Sequence, residues 1–567
     1  MKFFRAAVAD GLRIPTYFIE STARDNVDDP AYPPHDLPPE LKPIENSDVA
    51  VQQIAQILAN GTNPNLVVMV HGFNNPYPAV IGMYTGAAVA IDKDDKIRQG
   101  EGLVCMGYRW PSEKMGTPWR GTWDAMPTFP TWLFYVGLGF TVVPFLLFYL
   151  LPDPSTLPID VFGVFRHAGF DHVVTMVGLT LAGLVLTAGL LRAIVYFRDT
   201  YRATNYGAPD LVQIIRAIDT ELGKLQGRGR QNDVQLSFIG HSMGGFVVTN
   251  TLRVLSNVFE RPVSALNSYG AYPYPEDEAA AATRRRHIGN AFVLKRFVLA
   301  SPDIPAETLL SSRGNFLASM LSHFDEAYLF CNEGDEVLRQ ISTLANYFMF
   351  PTKSRNNGFR LGNVEILSSG FGLITPKPGQ DFLGTLRVGN KTVKELNDAL
   401  ELARVKSQGA VTRRRPKPPL PTIFTYFDCT DYVDTDNEGD KPTGLLTFAK
   451  NSKHRNPTAR MKWYSHLHLL VSYIAKQKPN VHGGYFEGLF SQQLIYRLAC
   501  LGFDETLRAY GGPNKLWNAC TEKQIRVLVS PQLHSQVMPP AGGIVQAQVD
   551  RGGLQYDRAA DADNLSR

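Results

Sequence analysis

The feature that most constrains this chain is an alternation of short, wholly apolar runs with segments whose apolar residues recur at helical spacing. LVVMV (66–70) has no polar residue, as expected of a parallel strand buried on both faces. A helix is expected just before it, capped by Asp48, carrying Val49, Val51, Ile54, Ile57 and Leu58 on its apolar face and stopped by Gly61. The pattern goes on through a helix over 77–92, a strand over 102–110, a helix over 210–225, the strand VQLSFIG (234–240) and a helix from 243 to about 257. Further strands are expected at 296–301, 326–331 and 422–428. Strands alternating with helices predict an α/β fold built on a doubly wound, mostly parallel sheet.

That alternation is interrupted between 110 and 210. Residues 131–151 carry no charge in 21 residues and 173–191 none in 19. Each stretch is long enough for a hydrocarbon core of about 30 Å. Trp132, Tyr135, Tyr149 and Tyr196 suit interfacial positions, and Pro144 is tolerated in a membrane helix. We expect an inserted transmembrane helical hairpin, with a buried hairpin in a lid as the alternative. The connecting segment 152–172 holds Arg166 and no Lys, whereas Lys114, Arg120, Arg192, Arg198 and Arg202 lie at the outer ends, which places the core on the cytoplasmic side of a two-span membrane protein.

The 567 residues exceed the usual size of one domain, and the chain divides by pattern. Residues 1–46 are an N-terminal strand and a Pro-rich approach, 47–126 the first part of the core and 127–200 the hairpin insertion. Residues 201–350 are the second part of the core, 351–420 a basic insertion and candidate lid, 421–530 the last core strand with an insertion and closing helices, and 531–567 a disordered tail. Two basic groups, Arg284 to Arg286 and RRRPK (413–417) with Arg404 and Lys406, read as solvated loop charge or as attraction to anionic headgroups. A net charge of +4 is too small for this length to point to nucleic acid. Five cysteines, far apart and without a CxxC pair, argue against a zinc site and fit a reducing compartment. The N-terminus has Lys2 and Arg5 but reaches Asp10 before an apolar run develops, so no cleaved signal peptide is expected.

Chemistry enters where the strand VQLSFIG runs into Gly240-His241-Ser242-Met243-Gly244-Gly245 and then into the helical pattern FVVTNTLRVLSNV. This is G-x-S-x-G in the strand–turn–helix setting that gives the string meaning: a tight turn presents the serine hydroxyl at the head of a helix, between residues that must be small. Strand LVVMV in turn ends in His71-Gly72-Phe73-Asn74-Asn75-Pro76, a loop of the HG type. The N–H groups of Phe73 and Met243 are the expected oxyanion-hole donors, with the side chains of His71 and Asn74 bracing the loop.

HGFNN, GHSMGG, the later ASPD and N-x-x-D-x-x-L resemble the bacterial α/β-hydrolase families of uncharacterised function related to lipases and esterases. The resemblance covers 47–110, 210–345 and the last strand and helix. It implies an α/β-hydrolase fold, a Ser-Asp-His triad and acyl-ester hydrolysis. It also implies where the acid and base fall, since both follow the serine in chain order. Asp335, in the loop after EAYLFC, is the expected acid; Asp303 is the runner-up, equally natural as a helix cap, and Glu333 a third. His482, in VHGGYF ahead of the last helix, matches the family's H-x-x-Y-F loop and is the expected base. His466 and His468 in YSHLHLLVSYI are the alternatives, and His454 also competes.

The expected activity is that of a membrane-anchored serine hydrolase of lipophilic or lipid esters, needing no metal or organic cofactor. Two other readings are carried forward. One is a phospholipase toxin delivered to rival bacteria, and the other is a non-catalytic scaffold that binds a membrane partner.

Overall fold

The computed structural model describes residues 1–7, 11–23, 37–112, 195–226, 233–259, 287–289, 291–306, 321, 324–343, 359–374, 376, 381–399, 420–435, 442–443, 461, 464–466, 469, 480–533 and 537. They build a 12-stranded sheet with helices on both faces. Its main path consists of β1 (Lys2–Ala6), β2 (Thr16–Glu20), β3 (Leu41–Ile44), β4 (Asn65–Val70), β5 (Leu103–Arg109), β6 (Val234–His241), β7 (Phe292–Ala300), β8 (Glu326–Cys331), β9 (Gly372–Ile374), β10 (Phe424–Asp428) and β11 (Arg526–Leu528). Their spatial order is β9-β11-β10-β8-β7-β6-β4-β5-β2-β1-β3. All neighbours from β10 through to β2 are parallel, while β1 runs against β2 and β3, and β11 against β10.

The central strands are apolar on both faces because both faces are covered. Every residue of β4 and β5 is buried. Leu66, Val68 and Val70 join the core under α1 (Ser47–Asn60), α3 (Ala208–Gln226) and α4 (Met243–Phe259). Val67 and Met69, one residue out of phase, join the opposite core under α2 (Tyr77–Lys93) and α5 (Leu489–Cys500). This two-sided covering has a consequence for the site. β4 and β6 are adjacent and parallel, yet the helix after β4 lies on one face and the helix after β6 on the other. Connections that leave neighbouring strands toward opposite faces open a crevice beyond the strands' carboxyl ends.

Several local expectations change. Helix α1 is capped by Asn46, whose side chain accepts the Asp48 N–H, because the chain turns helical two residues earlier than a cap at Asp48 would require. Val49 is exposed, and Ala50 takes its place in the buried face. The strand at 422–428 is not the last of the sheet: β11 and β9 extend it, and β9 comes from the basic insertion. Another part of that insertion forms a three-stranded sheet from Glu365–Ile366, Leu386–Val388 and Lys391–Thr392. Strands of two or three residues are too short to show an alternation, which is why the sequence pattern lapses there.

Among the described residues no helix is long and apolar enough to cross a membrane. The apolar stretches 131–151 and 173–191 lie outside the described residues, as do the basic groups at 284–286 and 404–417. All five cysteines are buried and free.

Candidate active site

Ser242 sits between the end of β6 and the first turn of α4, with φ at +54°, in the left-handed region that a non-glycine residue uncommonly adopts. Three backbone bonds hold it there. Its N–H donates to Ala300 O at 3.0 Å, and its own carbonyl accepts the N–H of Gly245 at 3.0 Å and of Asp303 at 3.1 Å. The flanking glycines are steric requirements. A Cβ on Gly240 would lie 2.7 Å from Gly245 Cα, and one on Gly244 would lie 2.2 Å from Val70 O. The close approach of Gly244 is to the end of β4, so the same contact brings the loop after β4 onto the turn. A Cβ on Gly72 would stand 2.8 Å from Ser242 Cβ.

The acid and base expected from the sequence meet in this crevice. His482 Nδ1 lies 2.7 Å from Asp335 Oδ2, across 147 residues of chain. Asp335 is completely buried and follows β8; its carboxylate also accepts Ser301 Oγ at 2.5 Å and the Leu338 N–H at 3.1 Å. Ser301 itself has φ at +44° and lies 3.3 Å from Tyr485 Oη. Asn332 Nδ2 donates to Val481 O at 2.8 Å, tying the loop of Asp335 to the loop of His482. A carboxylate only accepts, so the His482 contact fixes the proton on Nδ1 and leaves Nε2 with a lone pair. His482 Nε2 and Ser242 Oγ are both buried without a hydrogen-bond partner among the described residues.

His241, just before the serine, was not singled out by the sequence reading. Its Nε2–H donates to His482 O at 3.0 Å, and the two rings are 5.0 Å apart. Burial pushes its pKa down to about 4, helped by repulsion from His482, so His241 is neutral at pH 7. For His482 burial also opposes the charged form, but the Asp335 charge and hydrogen bond, with the field of Asp303, outweigh it and raise its pKa above the usual 6.5.

The alternative residues are placed differently. Asp303 is ion-paired with Arg360 at 3.2 Å and accepts Ser342 Oγ at 2.9 Å, so it reaches His482 only as a field. Glu333 accepts the Met461 N–H at 3.3 Å. His466 pairs with Glu336 at 2.5 Å, and His468 and His454 lie outside the described residues. Met243 follows the serine in the chain and Phe73 follows Gly72, which packs on it; the N–H groups of Phe73 and Met243 have no protein acceptor among the described residues. His71 braces its loop from a fully buried position, whereas Asn74 turns the backbone at φ +59° and gives its N–H to Asp199 at 3.1 Å. Asp199, Ser301, Asn75 and His241 were missed, because a residue that acts by holding a neighbour leaves no motif of its own.

Among the described residues no cluster of His, Cys, Asp or Glu is arranged to hold a metal ion. No family model, curated protein or solved structure matches the chain.

Proposed function

We propose that the chain is a serine hydrolase of the α/β-hydrolase type that cleaves carboxylic esters through an acyl-enzyme. The observation that carries this reading is the Asp335–His482 hydrogen bond, which leaves a buried, unpartnered Nε2 in the crevice of the equally unpartnered Ser242 hydroxyl. Hydrogen bonds between nucleophile and base are often loose before substrate arrives and tighten in the reactive complex. In the reaction His482 Nε2 removes the Ser242 proton while Oγ attacks the acyl carbonyl. The developing oxyanion is held by the Phe73 and Met243 N–H groups, and the helix dipole of α4 favours the same charge. Asp335 keeps the imidazole in the tautomer that can accept a proton and stabilises the imidazolium once it forms. That imidazolium then protonates the departing alcohol. Water, deprotonated by the same His482, releases the acid and restores Ser242.

The substrate class we infer is a lipophilic ester, glycerolipids and lysophospholipids before peptides and thioesters. Its support is the pair of apolar stretches at 131–151 and 173–191, which would tether the core beside a bilayer, with the positive flanks on the cytoplasmic side. A serine-reactive fluorophosphonate tests the reaction class directly. Wild type is expected to label and Ser242→Ala not to; a folded wild type that fails to label, or labelling indifferent to Ser242→Ala, ends the proposal.

A further inference from the structure

The peptide that joins Gly72 to Phe73 carries the N–H assigned above to the oxyanion, and its carbonyl is held from two sides. His71 Nδ1 lies 2.7 Å from Gly72 O, and Asn75 Nδ2 donates to the same oxygen at 3.1 Å. A carbonyl only accepts, so the first contact is a hydrogen bond in the Nδ1–H tautomer of His71. In a trans peptide the C=O and N–H point in opposite directions and move as one plane. Two donors on Gly72 O therefore fix the direction of the Phe73 N–H. They also draw electron density toward the oxygen, which makes that N–H a stronger donor.

Both donors are themselves anchored. The His71 ring is stacked on Trp110, centroids 5.3 Å apart and planes within 5°. The His71 N–H donates to Tyr84 Oη at 3.0 Å and its carbonyl accepts Trp110 Nε1–H at 2.8 Å. On the other side, the Asn75 N–H reaches Ser112 Oγ at 3.4 Å, and Ser112 Oγ donates to the buried Asp199 at 2.9 Å. Asp199 also takes the Asn74 N–H, so the residue between Phe73 and Asn75 cannot turn independently. Both side-chain donors converge on one carbonyl.

We propose that His71 and Asn75 are positioning residues that aim and polarise the Gly72–Phe73 peptide, presetting the Phe73 N–H for the charge that develops on the substrate oxygen. This rests on the hydrolase reading above. Asn75→Asp keeps the shape but sets an acceptor against Gly72 O. His71→Phe keeps the stack on Trp110 without the donor, and His71→Asn restores an amide nitrogen near the position of Nδ1. Outright loss of an oxyanion donor costs about 10²–10³-fold in kcat, so a misaimed one should cost about 10–100-fold.

The test measures kcat and KM on an activated ester, inhibition by an aryl boronic acid whose adduct with Ser242 places an oxygen in the hole, thermal midpoint and fluorophosphonate labelling. For Asn75→Asp we expect kcat to fall about 10–100-fold with KM within about twofold, boronate affinity to fall in parallel with kcat/KM, and the midpoint to hold. His71→Asn should recover most of what His71→Phe loses; should the latter not fold, Asn75→Asp alone carries the reading. Asn75→Asp turning over at the wild-type rate, or slowed with unchanged boronate affinity, overturns the inference while the hydrolase reading stands. Wild type that neither labels nor differs from Ser242→Ala overturns both.

Discussion

Two consecutive carboxylates, Asp335 and Glu336, each hold a histidine, at 2.7 Å to His482 and 2.5 Å to His466, and both carboxylates are buried. By composition and contact the pairs are alike; by surroundings they are not. His482 keeps a buried nitrogen without a partner, its carbonyl is bound by the residue before Ser242, and its acid is steadied by Ser301 and the Leu338 N–H. His466 stands in a short helical stretch at 464–466 and, among the described residues, contributes no buried, unpartnered nitrogen. A buried polar atom left unsatisfied costs about 1–3 kcal/mol, so two of them at one place mark a site that something other than folding has to complete. A carboxylate–histidine pair is thus not in itself a catalytic element. What separates the two, among the described residues, is the unpartnered nitrogen of His482, whose ring lies 5.0 Å from that of His241, the residue before the equally unpartnered Ser242 hydroxyl.

The comparison breaks most visibly at the bases. His482→Ala should lower kcat on an activated ester by about 10⁴-fold or more, while His466→Ala should stay within about threefold of wild type. Equal losses in the two variants would remove the distinction. At the acids the expected contrast is similar in kind: Asp335→Asn no longer fixes the Nδ1–H tautomer and should cost about 10⁴-fold, and Glu336→Gln should leave turnover nearly unchanged. Steady-state kinetics on purified variants decides both. Ser301→Ala sharpens the picture. It removes one of three donors to Asp335 and is expected to cost about tenfold in kcat, between the two extremes.

Much of this contrast was legible in the chain, though unevenly. The sheet could be read because strands covered on both faces are dominated by apolar residues: LVVMV has nothing polar, and EAYLFC only Glu326 at its start and the Tyr328 hydroxyl. The elbow could be read because Gly240 and Gly244 are forced by contacts under 3 Å, and a steric demand that strict leaves a spacing in the sequence. Asp335 and His482 were reachable only through their loops, since 147 residues separate them and no period links them. Ser301 and Asn75 were hidden beside residues that drew attention instead: ASPD was read for Asp303, which binds Arg360, and HGFNN for Asn74, whose neighbour supplies the side-chain donor. Strands β9 and β11, three residues each, carry too few positions to alternate.

The pH dependence separates the pairs more gently. In the proposed reaction His482 has to be unprotonated to accept the Ser242 proton, and its pKa is raised above 6.5, so kcat/KM should fall as pH drops through a value above 6.5. In Asp335→Asn the raising charge is gone while burial still disfavours the imidazolium, and the acid limb of the residual activity should move to lower pH. Glu336→Gln should leave it in place. A profile from pH 5 to 9 for the three proteins is the measurement, and a limb that stays put in Asp335→Asn would mean that another group sets it.

The smallest effect is on stability, and there the His466 pair and the crevice that holds His482 and Ser242 should differ in sign. His466→Ala leaves the buried Glu336 carboxylate without its histidine, which is expected to destabilise by about 1–3 kcal/mol. Ser242→Gly does the reverse. It removes a buried hydroxyl that has no partner and places a residue that accepts φ +54° without strain, so it should stabilise by about 1–2 kcal/mol even as activity disappears. The reason is that the strained turn and the orphaned hydroxyl are features a folding chain would shed and a nucleophile requires. Urea denaturation followed by tryptophan fluorescence should move the midpoint down for His466→Ala and up for Ser242→Gly. A midpoint that falls for Ser242→Gly would mean that the hydroxyl has a partner in the folded protein, and that the difference between the two pairs lies elsewhere.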